Sequence, residues 1–326
     1  MNPTAADVRE YDRFGPWIDE VTATEEVPKL YASYPLDLDS TRIVLKVPRN
    51  VARRDAWAGM DLYDHLVILD ADRLTVLSRR LGAAGSDLDV GGGPGYDVMT
   101  ARLADVVAIR DDLNLLDGRL TVSASSGDSL SFGYNGSAHD KATRFVDALR
   151  AGAGRGAMSS VGSALMIAGS VGADATAVPS PGAADTYLVS SFLKLRAGNP
   201  GLTVWASHGR GRLSPSLDGV RGVAARASHA ISPMTLHGAV VMADGAAMEL
   251  LGRHAFLVRG RGAIYSTSRL VIPLRALDGL DVTMHSVYED VAVATIRAGD
   301  WSTELAVPRD SEAASLLRTA SESVRV

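Results

Sequence analysis

The chain has no cysteine, which excludes disulfides and thiolate metal sites and fits a reducing compartment. Lysine is nearly missing. Lys29, Lys46, Lys141 and Lys194 stand among 33 basic residues, so arginine supplies almost all of the positive charge. With abundant Ala, Gly, Val and Asp, that bias reads as a GC-rich bacterial, actinobacterial genome rather than as chemistry. Long hydrophobic runs are absent too. Val161 to Ala173, the most apolar stretch, is too short and too rich in Gly and Ser to span a bilayer. Met1 to Glu10 lacks the basic start and apolar core of a secretory signal. These absences predict a cytoplasmic chain with no transmembrane segment. The net charge of −5 gives no global drive toward nucleic acid or anionic membrane, so any such binding needs a local patch.

At 326 residues, with 46% apolar and 22% charged residues, the chain has the length and composition of two ordinary domains. The clearest boundary is Ala151 to Ala184. It is dominated by Gly, Ala and Ser, has Arg155 and Asp174 as its only charges, and ends in Pro179-Ser180-Pro181-Gly182. Such a composition predicts a linker, although the apolar run Leu165-Met166-Ile167 could instead dock on a neighbouring surface.

The two sides of this boundary repeat each other. In the first, His65 to Asp70 and Arg73 to Leu77 form a strand pair. Tyr96 to Arg110 reads as a further strand, and Gly118 to Val122 pairs with Leu130 to Tyr134 across Ser126-Gly127-Asp128. In the second, Ala239 to Ala243 and Ala247 to Leu251 precede Ala263 to Leu277. Val291 to Ile296 then pairs with Trp301 to Val307 across Ala298-Gly299-Asp300. Each half closes with an amphipathic helix, predicted near 139–150 and 310–321. Ala142, Phe145, Val146 and Leu149 mark one apolar face, and Ala313, Leu316, Leu317 and Ala320 the other.

Upstream, Glu25 to Tyr34 reads as a helix before the strand Arg42 to Val47. Asp185 to Ala197 reads as its counterpart, with Asp185 as N-cap and Gly198 as C-cap, before the strand Leu202 to Ala206. The second copy carries an insertion, Ser214 to Met234. The expected organisation is a docking segment over 1–24, with an apolar face of Tyr11, Phe14, Trp17 and Ile18, then modules over 25–150 and 185–326 joined by a linker over 151–184.

A run of antiparallel strands closed by one C-terminal helix resembles the pleckstrin-homology superfold, particularly bacterial pleckstrin-homology-like domains. The features that carry the resemblance are Leu69-Asp70-Ala71-Asp72-Arg73-Leu74, the Val106-Val107-Ala108-Ile109 element, and the Gly-turn hairpin before the helix. The second copy matches by pattern, with Gly245-Ala246-Ala247-Met248 in place of Asp72-Arg73-Leu74-Thr75. The resemblance implies an α+β, mainly β chain of two tandem antiparallel β-barrel modules. It also implies binding or scaffolding, toward proteins or lipid headgroups, rather than catalysis.

Several constellations resolve to ordinary roles. Gly91-Gly92-Gly93-Pro94-Gly95 lacks the Lys-Ser/Thr of a phosphate-cradling loop and precedes a strand, so it reads as a connection. Seven histidines show no compact metal-ligand spacing, though His208 and His237 could converge. No Gly-x-Ser-x-Gly elbow occurs. Asp70, Asp72, Asp111 and Asp112 sit where strand ends want Asp. Arg259-Gly260-Arg261-Gly262 reads as a hairpin tip, and nothing favours nucleic acid. No cofactor, metal or catalytic set is expected.

The basic segments carry more. Arg49, Arg53 and Arg54 follow one strand, and His208, Arg210 and Arg212 follow its counterpart. Clustered arginines hold phosphate or carboxylate through bidentate, charge-assisted hydrogen bonds, so these six are the predicted anion- or partner-binding residues. The expected function is a non-enzymatic scaffold with a protein partner or self-association. The alternatives are a peripheral sensor of an anionic headgroup or nucleotide, and an enzyme assembled between the halves.

Overall fold

The computed structural model describes residues 3–80, 95–171, 173–216, 229, 231–259 and 266–325. The chain is α+β and mainly β, built from antiparallel sheets. It divides into two compact units. Unit 1 comprises Met1–Ala104, Leu115–Leu120 and Ser131–Gly152, and unit 2 comprises Asp105–Asn114, Thr121–Leu130 and Ala153–Val326. Among the described residues, no helix is long and apolar enough to cross a membrane.

Unit 1 opens with α1 (Ala5–Arg13). Thr4 and Asp7 close a reciprocal capping box at its start. Then β1 (Asp19–Glu20), β2 (Ile43–Pro48), β3 (Tyr63–Leu69), β4 (Arg73–Arg79) and β5 (Tyr96–Arg102) pair in chain order as an antiparallel meander. Phe14, Tyr31, Tyr63, Leu66 and Leu77 form its core. Tyr31 and Tyr63 are buried with their rings edge-on to Tyr96 and Phe14. The apolar face expected near the N-terminus splits. Phe14 and Ile18 are buried, while Trp17 lies beyond the end of α1 and is exposed. The helix expected over Glu25 to Tyr34 is instead two short 3-10 turns, Thr24–Glu26 and Lys29–Tyr31. Pro28 lies between them, has no N–H to donate and bars the helical conformation to the residue before it.

The strand expected over Tyr96 to Arg110 is two strands. After β5 a 3-10 turn, Leu103–Asp105, redirects the chain into β6 (Val106–Asn114). The hairpin β7 (Asp117–Ala124) and β8 (Ser129–Asn135) follows, then α2 (His139–Ala153). Ala142, Phe145, Val146 and Leu149 are buried, as their spacing predicts.

Unit 2 continues with α3 (Ser160–Ser170) and α4 (Tyr187–Gly198), then β9 (Thr203–His208), β10 (Gly211–Leu213), β11 (Met234–Leu236), β12 (Ala239–Ala243), β13 (Ala247–Gly252), β14 (Leu257–Arg259), β15 (Ser266–Pro273), β16 (Gly279–Met284), β17 (Val291–Ala298), β18 (Trp301–Pro308) and α5 (Glu312–Val324). The largest sheet runs β8-β7-β6-β15-β13-β12-β9; β10-β11-β14 and β16-β17-β18 form two smaller ones. No sheet among the described residues closes into a barrel. The edge of β6 that a barrel would pair within its own half pairs instead with β15, from Asn114↔Ser266 to Ile109↔Val271.

The glycine- and alanine-rich stretch holds α3, whose Val161 and Leu165 enter the unit 2 core beside Met248, Leu270, Ile272 and Ile296. Small residues make that approach possible. A Cβ on Gly162 would lie 2.0 Å from the Leu274 carbonyl oxygen. On α5, capped by Ser311, the expected face Ala313, Leu316, Leu317 and Ala320 is buried in the same core. Asp111, expected at a strand end, is buried in mid-β6 directly opposite Arg269, which also donates to Glu249 at 2.8 Å. Burial of these charges holds only because they meet opposite charge. Gly91-Gly92-Gly93-Pro94, Gly260-Arg261-Gly262 and most of the insertion Ser214 to Met234 lie outside the described residues.

Candidate functional site

In unit 2, strands running alternately up and down place the end of β9, the start of β12, the end of β13 and the start of β15 at one edge of the sheet. The residues there are polar. His208 ends β9 opposite Ala239, His237 and Gly238 lead into β12, Arg253 and His254 leave β13, and Ser266 begins β15. The turn Ala183–Asp185 and the first residues of α4 add Asp185 and Tyr187.

Asp185 does not cap α4. Its carboxylate is buried, accepting from the Gly238 N–H at 3.3 Å and from the Arg253 guanidinium at 3.5 Å, while Thr186 occupies the cap position. Position 238 must be glycine for this approach, because a Cβ there would stand 2.7 Å from Asp185 Oδ2 and 3.0 Å from the His208 carbonyl oxygen. Arg253 also donates to the Ser266 carbonyl at 2.8 Å and stacks 4.1 Å from the Tyr187 ring centroid. His254 Nδ1 and Ser266 Oγ are hydrogen-bonded at 2.7 Å.

Around this frame, polar atoms are buried without partners among the described residues: both ring nitrogens of His237, Nε2 of His208, the Tyr187 hydroxyl and Nε of Arg253. His237 is 1% exposed and His208 6%. Native interiors seldom leave such groups unpaired, so five in one cluster make this the candidate site. Burial pushes the His237 imidazole down to about 4, helped by the nearby Arg210 and Arg253 charges and opposed by Asp185. Burial also lowers His208 and raises Tyr187 to about 12. At neutral pH His237 is therefore uncharged, offering one N–H and one lone pair. Arg210 and His254 are exposed at the rim.

The structure thus brings His208 and Arg210 to one cluster. Arg212 is exposed on β10, opposite Thr235 within the small β10-β11-β14 sheet, and does not join the cluster. Arg49, Arg53 and Arg54 are in unit 1. There Arg53 donates to the Phe14 carbonyl and lies 4.9 Å from the Tyr11 ring centroid, and Arg54 is 87% exposed beside Asp55 at 3.6 Å. The Arg49 N–H donates to the Leu62 carbonyl at 2.9 Å. Asp185, Tyr187 and Arg253 are cluster residues that sequence reasoning missed. Asp185 carried a cap signal, and the others stand tens of positions apart with no shared motif. Among the described residues, no three metal-ligating side chains meet as a group that could hold an ion.

Compared with known protein families, curated proteins and solved structures, the chain matches none.

Proposed function

We propose that the protein is a non-enzymatic binding protein whose unit 2 cluster takes a phosphoryl group, free or on a small molecule or lipid headgroup. The observation that carries this reading is the set of unpartnered buried polar atoms beside Arg253 and Arg210. A phosphate monoanion offers acceptor oxygens to Arg253 Nε, to Arg210 and to one ring N–H of His237. The Asp185–Arg253 pair balances its own charge, so Arg210 supplies the excess cation.

The pleckstrin-homology-like resemblance belongs to the same proposal. Its support is the β16-β17-β18 meander followed by α5, and two closing helices whose matched apolar faces are both buried. A scaffold role with a protein partner finds support in β5, an edge strand whose Val98 and Met99 are exposed.

Titration calorimetry with inorganic phosphate tests the reading. Sedimentation with phosphatidylcholine vesicles, with and without phosphatidic acid, separates a membrane source from a soluble one. The parent should bind saturably at about millimolar concentration or below. Arg253→Gln and Arg210→Ser should each weaken binding about tenfold or more, the loss expected for a hydrogen bond to a charged group. Arg210 is exposed, so its variant keeps the test sound if Arg253→Gln does not fold. No saturable binding to either probe would overturn the proposal, as would binding indifferent to Arg210→Ser.

A further inference from the structure

Unit 1 holds a second, separate arrangement. A cavity of about 240 Å³ lies among α1, the 3-10 turns of residues 24–31 and β2, with Glu10, Lys46 and Tyr63 in its wall and Arg9 and Arg13 beside them. Two of these groups are under-partnered in complementary ways. Glu10 Oε2 accepts from the Lys29 N–H at 2.7 Å, but its Oε1 is buried with no partner among the described residues. Lys46, 5% exposed in mid-β2, has three N–H donors. Among the described residues its ammonium makes one hydrogen bond, at 3.3 Å to the Glu26 carbonyl, and the Tyr63 ring centroid is 5.6 Å from its Nζ.

A buried carboxylate and a buried ammonium on one cavity would ordinarily be expected to pair, because each alone is costly. These two do not pair with each other; Glu10 feels the charge of Lys29, and Lys46 that of Glu26. Tyr63 lies between their influences. Its ring faces Lys46, and the Glu10 charge helps burial to push its hydroxyl up. Burial also raises the Glu10 carboxyl, against the Lys29 N–H bond that lowers it.

We propose that this cavity binds a small zwitterion, its ammonium on Glu10 Oε1 and its carboxylate on Lys46. The volume lies below the usual range of pockets for drug-sized ligands, about 300–1,000 Å³, and so suits a molecule of amino-acid size. A bridging zwitterion completes both groups at once, which a simple anion or cation does not. Arg9, Arg13 and Lys29 are the other bases on the wall, and Glu25 and Glu26 the other acids. The site is independent of the phosphoryl cluster.

The test is a spacing series of ω-amino acids, glycine, β-alanine, 4-aminobutyrate and 5-aminopentanoate, titrated calorimetrically into the full chain. One member should bind saturably and best, since a fixed span between the two charges selects one length. Its methyl ester and its N-acetyl derivative, each lacking one charge, should bind at least about tenfold more weakly. Glu10→Gln and Lys46→Met should each cause a similar loss while leaving phosphate binding unchanged. Lys46 is buried, so if Lys46→Met fails to fold by circular dichroism, Glu10→Gln and the two blocked ligands decide alone. No saturable binding by any member would overturn the proposal. So would binding that survives both blocking groups or the Glu10 change.

Discussion

The two basic segments each follow a strand and look alike in sequence, yet they live in different physical settings. After β2, Arg53 and Arg54 sit on exposed chain; one is satisfied by a carbonyl and a tyrosine ring, the other by solvent and Asp55. After β9, His208 and Arg210 adjoin a cluster with a buried carboxylate, a stacked guanidinium and unpaired imidazole nitrogens. Arg53, Arg54 and Arg210 are all exposed, so what differs is their neighbours, buried and polar beside Arg210 and open to solvent beside Arg54. Burial decides, because desolvated charges interact strongly and exposed ones are screened.

The two segments should differ most at their carboxylates. Asp185→Ala should cost about 3–5 kcal/mol, since it strands the Arg253 guanidinium and the Gly238 N–H in a buried place. Asp55→Ala, beside the exposed Arg54, should cost no more than about 0.5 kcal/mol. Urea unfolding of both variants measures the difference. Equal midpoints would mean that the Asp185 pair is not the anchor of the cluster.

Acid should separate the segments next. His237 has a folded pKa near 4, below its ordinary 6.5, so between those values the unfolded chain binds the proton and the folded chain does not. Stability from this group is therefore full above about pH 6.5 and is lost as pH falls toward 4, by about 3 kcal/mol in all. His208 acts in the same direction. The groups facing His237 are Arg210, Arg253, Asp185 and His254. Asp7, lowered to about 2, loses its contribution only in more acid solution, and the raised Glu10 carboxyl works the other way. The useful reading is thus the difference between the parent and His237→Asn. The variant's stability should fall less steeply between pH 7 and pH 4.5. Parallel profiles would show that His237 is not held neutral by its surroundings.

Much of the fold was legible because alternation and turns are local. The hairpins across Gly127 and Gly299 and both closing helix faces read directly from apolar spacing, and positive φ at Gly127 and Gly299 explains the turn residues. Pairing between distant strands was not legible. Period-two patterning says which face of β6 is buried, not that its edge meets β15. Composition misled at α3, where Gly and Ala that suit a linker also suit close packing, as Gly162 against the Leu274 carbonyl demonstrates. At the cluster, Asp185 carried two meanings. An Asp before a helix is usually a cap, and only the fold reveals Gly238 and Arg253 waiting for its oxygens. His208 and Arg210 were legible as a basic segment; their buried neighbours were not.

Within the first segment, two adjacent arginines should differ by less. Arg54→Ser should change stability by about 0.5 kcal/mol or less, since its ion pair is open to water and screened by salt. Arg53→Ser should cost about 1 kcal/mol, the sum of one hydrogen bond to the Phe14 carbonyl and a stack on Tyr11, both partly solvated. The gap between them comes from tethering α1 and the chain after it to the sheet, so it should persist at high salt, where simple charge effects fade. Phosphate binding should be unmoved by either change, in contrast to Arg210→Ser. Chemical unfolding at low and high salt, with phosphate titrations of each variant, measures all three quantities. If the Arg53 and Arg54 variants weakened phosphate binding as strongly as Arg210→Ser, the two basic segments would share one role after all, and burial would not be what distinguishes them.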